Sequence, residues 1–218
     1  MIHLYGVAQD LEALPEVAGL DDAPLERRRI EGLELVVSRV RLERPEVSTD
    51  AVLRHAEVVE QLLARSRSVL PAQFARPFAD EEELSAAVRT KAPELKRSLS
   101  RVSGCVEFAL RVVGTPGKEA EARSGGGYMR ARLAESKERD RLSRELHEPL
   151  ERLSRESARF SSGASELLVS AYLVPETEAD TFGELVRRLE TEHPQLTVVC
   201  TGPWPPYTFA ADPHEGQA

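Results

Sequence analysis

Cys105-Val106-Glu107-Phe108-Ala109-Leu110-Arg111-Val112, residues 105–112, alternates without a break. Val106, Phe108, Leu110 and Val112 fall on one face of an extended chain, and Cys105, Glu107, Ala109 and Arg111 fall on the other. That period of two predicts a half-buried strand, and Gly104 marks its beginning. Downstream, a long polar helix is predicted from about Tyr128 to Leu146, supported by Glu135 with Arg139 and Asp140 with Arg144, each one turn apart. Pro149 is expected to break it, with Leu150–Phe160 continuing as a second piece. Leu167–Val174 reads as a strand stopped by Pro175, with Leu167, Val169, Ala171 and Leu173 on one face. Phe182, Leu185, Val186 and Leu189 form an amphipathic helical stripe, and Leu196–Thr201 is the last strand. The order β-α-β-α-β predicts a sheet with both helices on one face. The nearest match is a ferredoxin-like sandwich with one strand missing or modified.

Upstream of residue 104 the pattern is different but of the same class. Ile2–Val7 is a predicted strand, followed by a loop rich in Pro, Gly and Asp over Gln9–Pro24. Leu25–Ile30 and Leu33–Val40 read as a hairpin around Glu31-Gly32, because glycine admits the positive φ of a tight turn. Ser48-Thr49-Asp50 is a helix-start cluster, and Val52, Ala56, Val59 and Leu63 give that helix its expected apolar stripe. Val69-Leu70-Pro71-Ala72-Gln73-Phe74 is expected to be extended, since a residue before proline is pushed out of the helical region. Asp80 with Glu83 has capping-box spacing, and Pro93 is expected to kink or restart the helix that follows. The fold class is therefore α+β in two small α/β sandwich domains. The expected division is 1–101, 102–211 and a tail over 212–218.

Composition narrows the function. Acids outnumber bases 37 to 29 for a net charge of −8, which argues against a general electrostatic grip on nucleic acid or an anionic membrane. No apolar run approaches the roughly 20 residues of a membrane span, and Met1-Ile2-His3-Leu4-Tyr5 lacks the basic region of a signal peptide, so a cytoplasmic protein is expected. Cys105 and Cys200 lie too far apart in type and spacing for a disulfide scaffold or a metal site and are expected in strands. His3, His55, His147, His193 and His214 show no zinc spacing. His55 near Glu57 and Glu60 reads as a solvated helix face, and His147 as a helix-end residue favoured by the dipole. Gly114-Thr115-Pro116-Gly117-Lys118-Glu119 follows a strand but lacks the residues of a phosphate loop. Ser124-Gly125-Gly126-Gly127 reads as a hinge, Ser161–Ser165 as a linker, and no Gly-x-Ser-x-Gly elbow occurs. No metal ligand set, cofactor motif or catalytic constellation is expected.

Aromatics make up only 5% of the chain, yet Trp204, Tyr207 and Phe209 stand within six positions. They belong to Thr201-Gly202-Pro203-Trp204-Pro205-Pro206-Tyr207-Thr208-Phe209, a segment stiffened by three prolines. This segment resembles the Thr-Gly-Pro-Trp-Pro-Pro-Tyr-x-Phe ending of the gas vesicle protein F/L family (GvpL/GvpF). Leu4-Tyr5-Gly6-Val7, Val69-Leu70-Pro71 with Phe74, Ala171-Tyr172-Leu173-Val174 and His193-Pro194 are similar to further family stretches in the same order. Gln73, Ala75 and Arg76-Pro77 depart from the family's usual residues around that Phe, so if the family uses that loop to touch a partner, the same contact is not implied here.

The resemblance implies a cytoplasmic accessory protein of gas vesicle assembly, without enzymatic activity. It implies two α+β domains, the C-terminal one a modified ferredoxin-like fold. The implied partners are the major gas vesicle shell protein and other accessory proteins, with buoyancy as the outcome and no cofactor. Candidate interface or inter-domain anchor residues are Pro203, Trp204, Pro205, Pro206, Tyr207 and Phe209, with Leu70, Pro71 and Phe74. Two other readings stand beside this one. The first is a ligand-binding or enzymatic protein with an inter-domain pocket near Glu107 and Tyr172. The second is a regulator that recruits partners through its Pro-rich segment.

Overall fold

The computed structural model describes residues 1–41, 48–74, 77–114, 125–161 and 166–210. They form two compact units, one comprising Met1–Cys105 together with the segment from Trp204, the other Val106–Pro203.

The first unit is built on a sheet of order β2-β3-β1-β4. Its strands are β1 (Ile2–Gln9), β2 (Glu26–Ile30), β3 (Leu33–Arg39) and β4 (Ser68–Pro71). The β2–β3 hairpin turns at Glu31 and Gly32, both at positive φ (53° and 77°), as a two-residue turn matching the strand twist requires. The register of β1 against β3 slips between Leu4 and Gly6. The extra residue is Tyr5, and the slip lets Tyr5 and Ala8 join the same core with Val36 and Val69.

Helix α1 (Thr49–Arg65) starts where Ser48 accepts the amide of Ala51. Its buried face is His55, Val58, Val59 and Leu62, not the stripe through Val52, Ala56 and Leu63. The spacing i, i+3, i+4, i+7 is equally helical, but it needs His55 inside, which apolar counting excludes. Helix α2 (Glu81–Val102) begins with reciprocal caps: Asp80 accepts the Glu83 amide at 2.9 Å, and Glu83 accepts the Ala79 amide at 2.6 Å. It runs through Pro93, because buried Leu84 and Val88 before it and Leu99 and Val102 after it hold both halves to the unit.

The second unit has the order β5 (Cys105–Val113), α3 (Gly125–Leu153), β6 (Glu156–Arg159), β7 (Glu166–Pro175), α4 (Ala179–Glu192), β8 (Thr197–Trp204). Its sheet order is β6-β7-β5-β8, and β-α-β-β-α-β in this order is the ferredoxin-like arrangement. No strand is missing; β6 supplies the one that the sequence reading lacked. Pro149 does not end α3 either. Leu142, Leu146 and Leu150 are buried at four-residue spacing across it, and their packing outweighs one lost helical hydrogen bond. Phe108 stacks on Phe182 with ring centroids 4.8 Å apart, and Tyr172 lies 5.4 Å from Phe182, which joins β5, β7 and α4.

The last element, α5 (Tyr207–Ala210), is a single turn packed on α2 and β4. Residues from Trp204 onward group with the first unit, whereas the sequence reading places them in 102–211. The polar Gly114–Gly127 loop and the Ser161–Ser165 linker fall mostly outside the described residues (115–124 and 162–165).

Candidate functional site

The C-terminal motif divides into anchors and an exposed pair. Pro205, Pro206 and Phe209 are buried, with Phe209 only 3% exposed. The Arg101 guanidinium donates to the Phe209 carbonyl and ties the end of α2 to α5. Trp204 and Tyr207 are 40% and 44% exposed, although both are aromatics of the size that normally fills a core. Pro203 also faces solvent. Thus one half of the motif stitches the segment down, and the other half presents two rings.

The second group of candidate residues lies beneath the first. Leu70 is buried in β4, the strand that α5 packs against, and Pro71 at its end is half-buried. Phe74 turns inward and packs its ring 5.8 Å from His3 and 5.6 Å from His55. The structure therefore brings Leu70 and Pro71 toward Phe209 and assigns Phe74 to the core.

Gly202 fixes where the motif starts. Its φ is +126°, and a Cβ there would come within 2.6 Å of the Glu107 carbonyl and 3.0 Å of the Phe108 ring. Gly202→Ala is expected to cost about 2 kcal/mol or more, since both the backbone conformation and the close approach oppose a side chain. Urea unfolding measures this, and an unchanged midpoint would contradict the account.

Two polar chains run through the cores. In the first unit the Ala72 carbonyl accepts from His55 Nε2 at 3.2 Å, which leaves His55 Nδ1 as an acceptor. His3 Nε2 then donates to it at 2.8 Å, and His3 Nδ1 stays buried with no partner among the described residues. Burial, and secondarily the neighbouring His55, push the His3 pKa down to about 3; burial also lowers that of His55. Tyr5, stacked on His55, accepts the Leu20 amide at 2.6 Å and shares a hydrogen bond with Ser38 at 2.9 Å. In the second unit His147 Nδ1 meets the Tyr172 hydroxyl at 2.7 Å, and burial raises the Tyr172 pKa.

These chains overturn two expectations. His55 is not on a solvated face, and His147 lies a turn and a half inside α3, below its buried side, rather than at a helix end. Their partners His3 and Tyr172 are 52 and 25 residues away in sequence, beyond any local pattern. Cys105 is buried in β5 and Cys200 is half-buried in β8, and burial pushes the Cys200 thiol up to about 11, far from a reactive thiolate.

Tyr172 is fully buried inside the second unit. A groove of about 560 Å³ lies elsewhere in that unit, between α3 and α4, lined by Pro149, Leu153, Leu185, Arg152 and Arg188. Among the described residues there is no cluster of three or more potential metal ligands, and no helix is long and apolar enough to cross a membrane.

The fold and the site define an α+β protein of two four-stranded units whose distinctive surface feature is a stiff, anchored segment displaying two aromatic rings. The family profile described as gas vesicle synthesis protein GvpL/GvpF matches residues 1–211, and the chain belongs to that family. It is 25% identical over 219 residues to gas vesicle protein F1 of Halobacterium salinarum, covering 99% of this chain and 94% of that one. It is 30% identical over 226 residues to gas vesicle protein L of a Streptomyces species, covering 90% of this chain and 79% of that one. The crystal structure of gas vesicle protein GvpF from an Anabaena species superimposes with a TM-score of 0.84 at 18% identity, covering 98% of this chain and 97% of that one. At that identity the match speaks for the fold.

Proposed function

We propose that this chain is an accessory protein that binds the major gas vesicle shell protein and other accessory proteins during vesicle assembly in the cytoplasm, giving buoyancy, and that Trp204 and Tyr207 form part of the contact surface. Membership of the GvpL/GvpF family supports the vesicle assignment. The observation that carries the binding reading is the split within one motif. Phe209 is spent on anchoring, while Trp204 and Tyr207 stay exposed on a backbone already ordered by Pro205 and Pro206. A preordered aromatic pair loses little conformational entropy on docking, and Trp and Tyr are the residues most enriched at binding hot spots.

Co-purification with the major shell protein tests the reading. Trp204→Ala is expected to weaken capture at least about tenfold, equivalent to about 1.4 kcal/mol. The same change is expected to lower the protein's own stability by about 1 kcal/mol or less, because much of the ring already faces water. Tyr207→Ala is expected to act in the same direction. Failure of the wild-type chain to bind the shell protein, with normal vesicles formed in its absence, would sink the proposal.

A further inference from the structure

Strand β6 is the outer strand of the second unit's sheet, with β7 as its neighbour. The Phe160 amide donates to the Val169 carbonyl at 2.9 Å. Backbone groups alternate in direction along an antiparallel strand, so the N–H and C=O of Ser157 and Arg159 point away from β7, toward the open edge. Natural sheets blunt such edges with prolines, like charges or a covering element. The other three outer strands carry these devices. Strand β2 holds Arg27-Arg28-Arg29, β4 ends in Pro71 and has α5 against it, and β8 contains Pro203. Strand β6, Glu156-Ser157-Ala158-Arg159, has no proline and no run of like charge, and Phe160 beside it is 49% exposed.

We propose that β6 pairs antiparallel with β6 of a second copy of this chain, joining the two four-stranded sheets in a two-fold dimer. The symmetry restricts the register. A two-fold axis perpendicular to the sheet places residues of the same face opposite each other, so either Ser157 or Ala158 faces its own counterpart on the axis. The Ser157-centred register would need the Arg155 amide to bond Arg159 of the other copy, and that amide is already turned inward to the Leu173 carbonyl of β7 at 2.8 Å. The Ala158-centred register puts only a methyl group on the axis and sets Ser157 opposite Arg159. Those are the residues whose backbone groups face outward, and each such pair exchanges two hydrogen bonds.

Charge also selects this register. The Ser157 hydroxyl is held by Glu151 of α3 at 2.9 Å, and that carboxylate is half exposed. Arg159 already reaches back over the same face to the Ser143 hydroxyl at 2.7 Å. Facing Ser157 of a second copy, the Arg159 guanidinium arrives next to that copy's Glu151 with donors to spare, and the two-fold axis repeats the ion pair.

Sedimentation equilibrium of the full chain, from about 1 to about 200 µM, is expected to show a monomer–dimer equilibrium in the micromolar range, as befits a small strand-to-strand interface. Arg159→Glu and Glu151→Arg are each expected to weaken the dimer at least tenfold, and the two combined to restore it. Ser157→Pro removes an outward N–H without touching the bonds to β7 and is expected to abolish dimers while circular dichroism stays native. A chain that is monomeric throughout, or a dimer whose affinity is the same in all these variants, would overturn the proposal.

Discussion

Phe209→Ala is expected to destabilise the first unit by about 3–5 kcal/mol, the cost of removing a buried aromatic ring. The ring is 3% exposed in a one-turn helix, and a single turn has no helical stability of its own. Its position rests on the packing of Phe209 over α2 and β4 and on the Arg101 bond to the Phe209 carbonyl. Without the ring, the segment from Trp204 onward loses its buried aromatic anchor and keeps that bond and its two buried prolines. Urea unfolding measures the loss, and limited proteolysis near residue 205 reports whether the segment detaches first. A change below about 1 kcal/mol would show that Phe209 is not the anchor. The contrast with Trp204→Ala is informative, because two aromatics five positions apart should then differ severalfold in their effect on stability and in the opposite sense on binding.

Acid is expected to weaken the same unit well above the range where carboxylates titrate. His3 and His55 are neutral in the fold, with pKa values lowered by burial, that of His3 to about 3. In the unfolded chain both titrate near 6.5. Below that value the unfolded state binds more protons than the folded one, so stability falls with pH. The His3 contribution is complete above about pH 6.5 and is lost toward the folded value at up to about 1.4 kcal/mol per pH unit, and His55 acts in the same direction. For His3 alone this amounts to about 2 kcal/mol between pH 6.5 and 5. Geometry gives the same sign: a proton added at His3 Nδ1 would be a buried donor with no acceptor among the described residues. Urea midpoints at pH 7.5, 6 and 5 measure the slope. His3→Gln is expected to flatten it, and equal slopes in variant and wild type would refute the linkage.

Several elements were legible because their signals are local. The strand at 105–112, the Glu31-Gly32 turn, the caps at Ser48 and Asp80 and the stripe through Phe182, Val186 and Leu189 recur, although Cys105 and Glu107 are buried along with the apolar face of the strand and Leu185 is only half-buried. Strand β6 was not legible, since an edge strand of Glu, Ser, Ala and Arg carries no apolar alternation; its inward-facing partners are polar, Ser143 and Glu151. The face of α1 was misjudged by about one position because its innermost residue is a histidine, whose two ring nitrogens are satisfied in the core by His3 and the Ala72 carbonyl. Pro149 signals a break that packing on both sides overrides.

The sequence by itself determined the two-part α+β plan and, through Pro203–Phe209, the family, because strand period, turn chemistry and a proline-stiffened motif are properties of neighbouring residues. Tertiary structure alone decided which aromatic of that motif is an anchor and which is a surface. Trp204, Tyr207 and Phe209 are equivalent as apolar rings in a local reading. Only the return of the chain onto α2 and β4 buries Phe209 and leaves Trp204 and Tyr207 facing water. The same holds for the buried histidine pair, whose neutrality depends on a partner 52 residues away and on the desolvation that the closed core imposes on both rings.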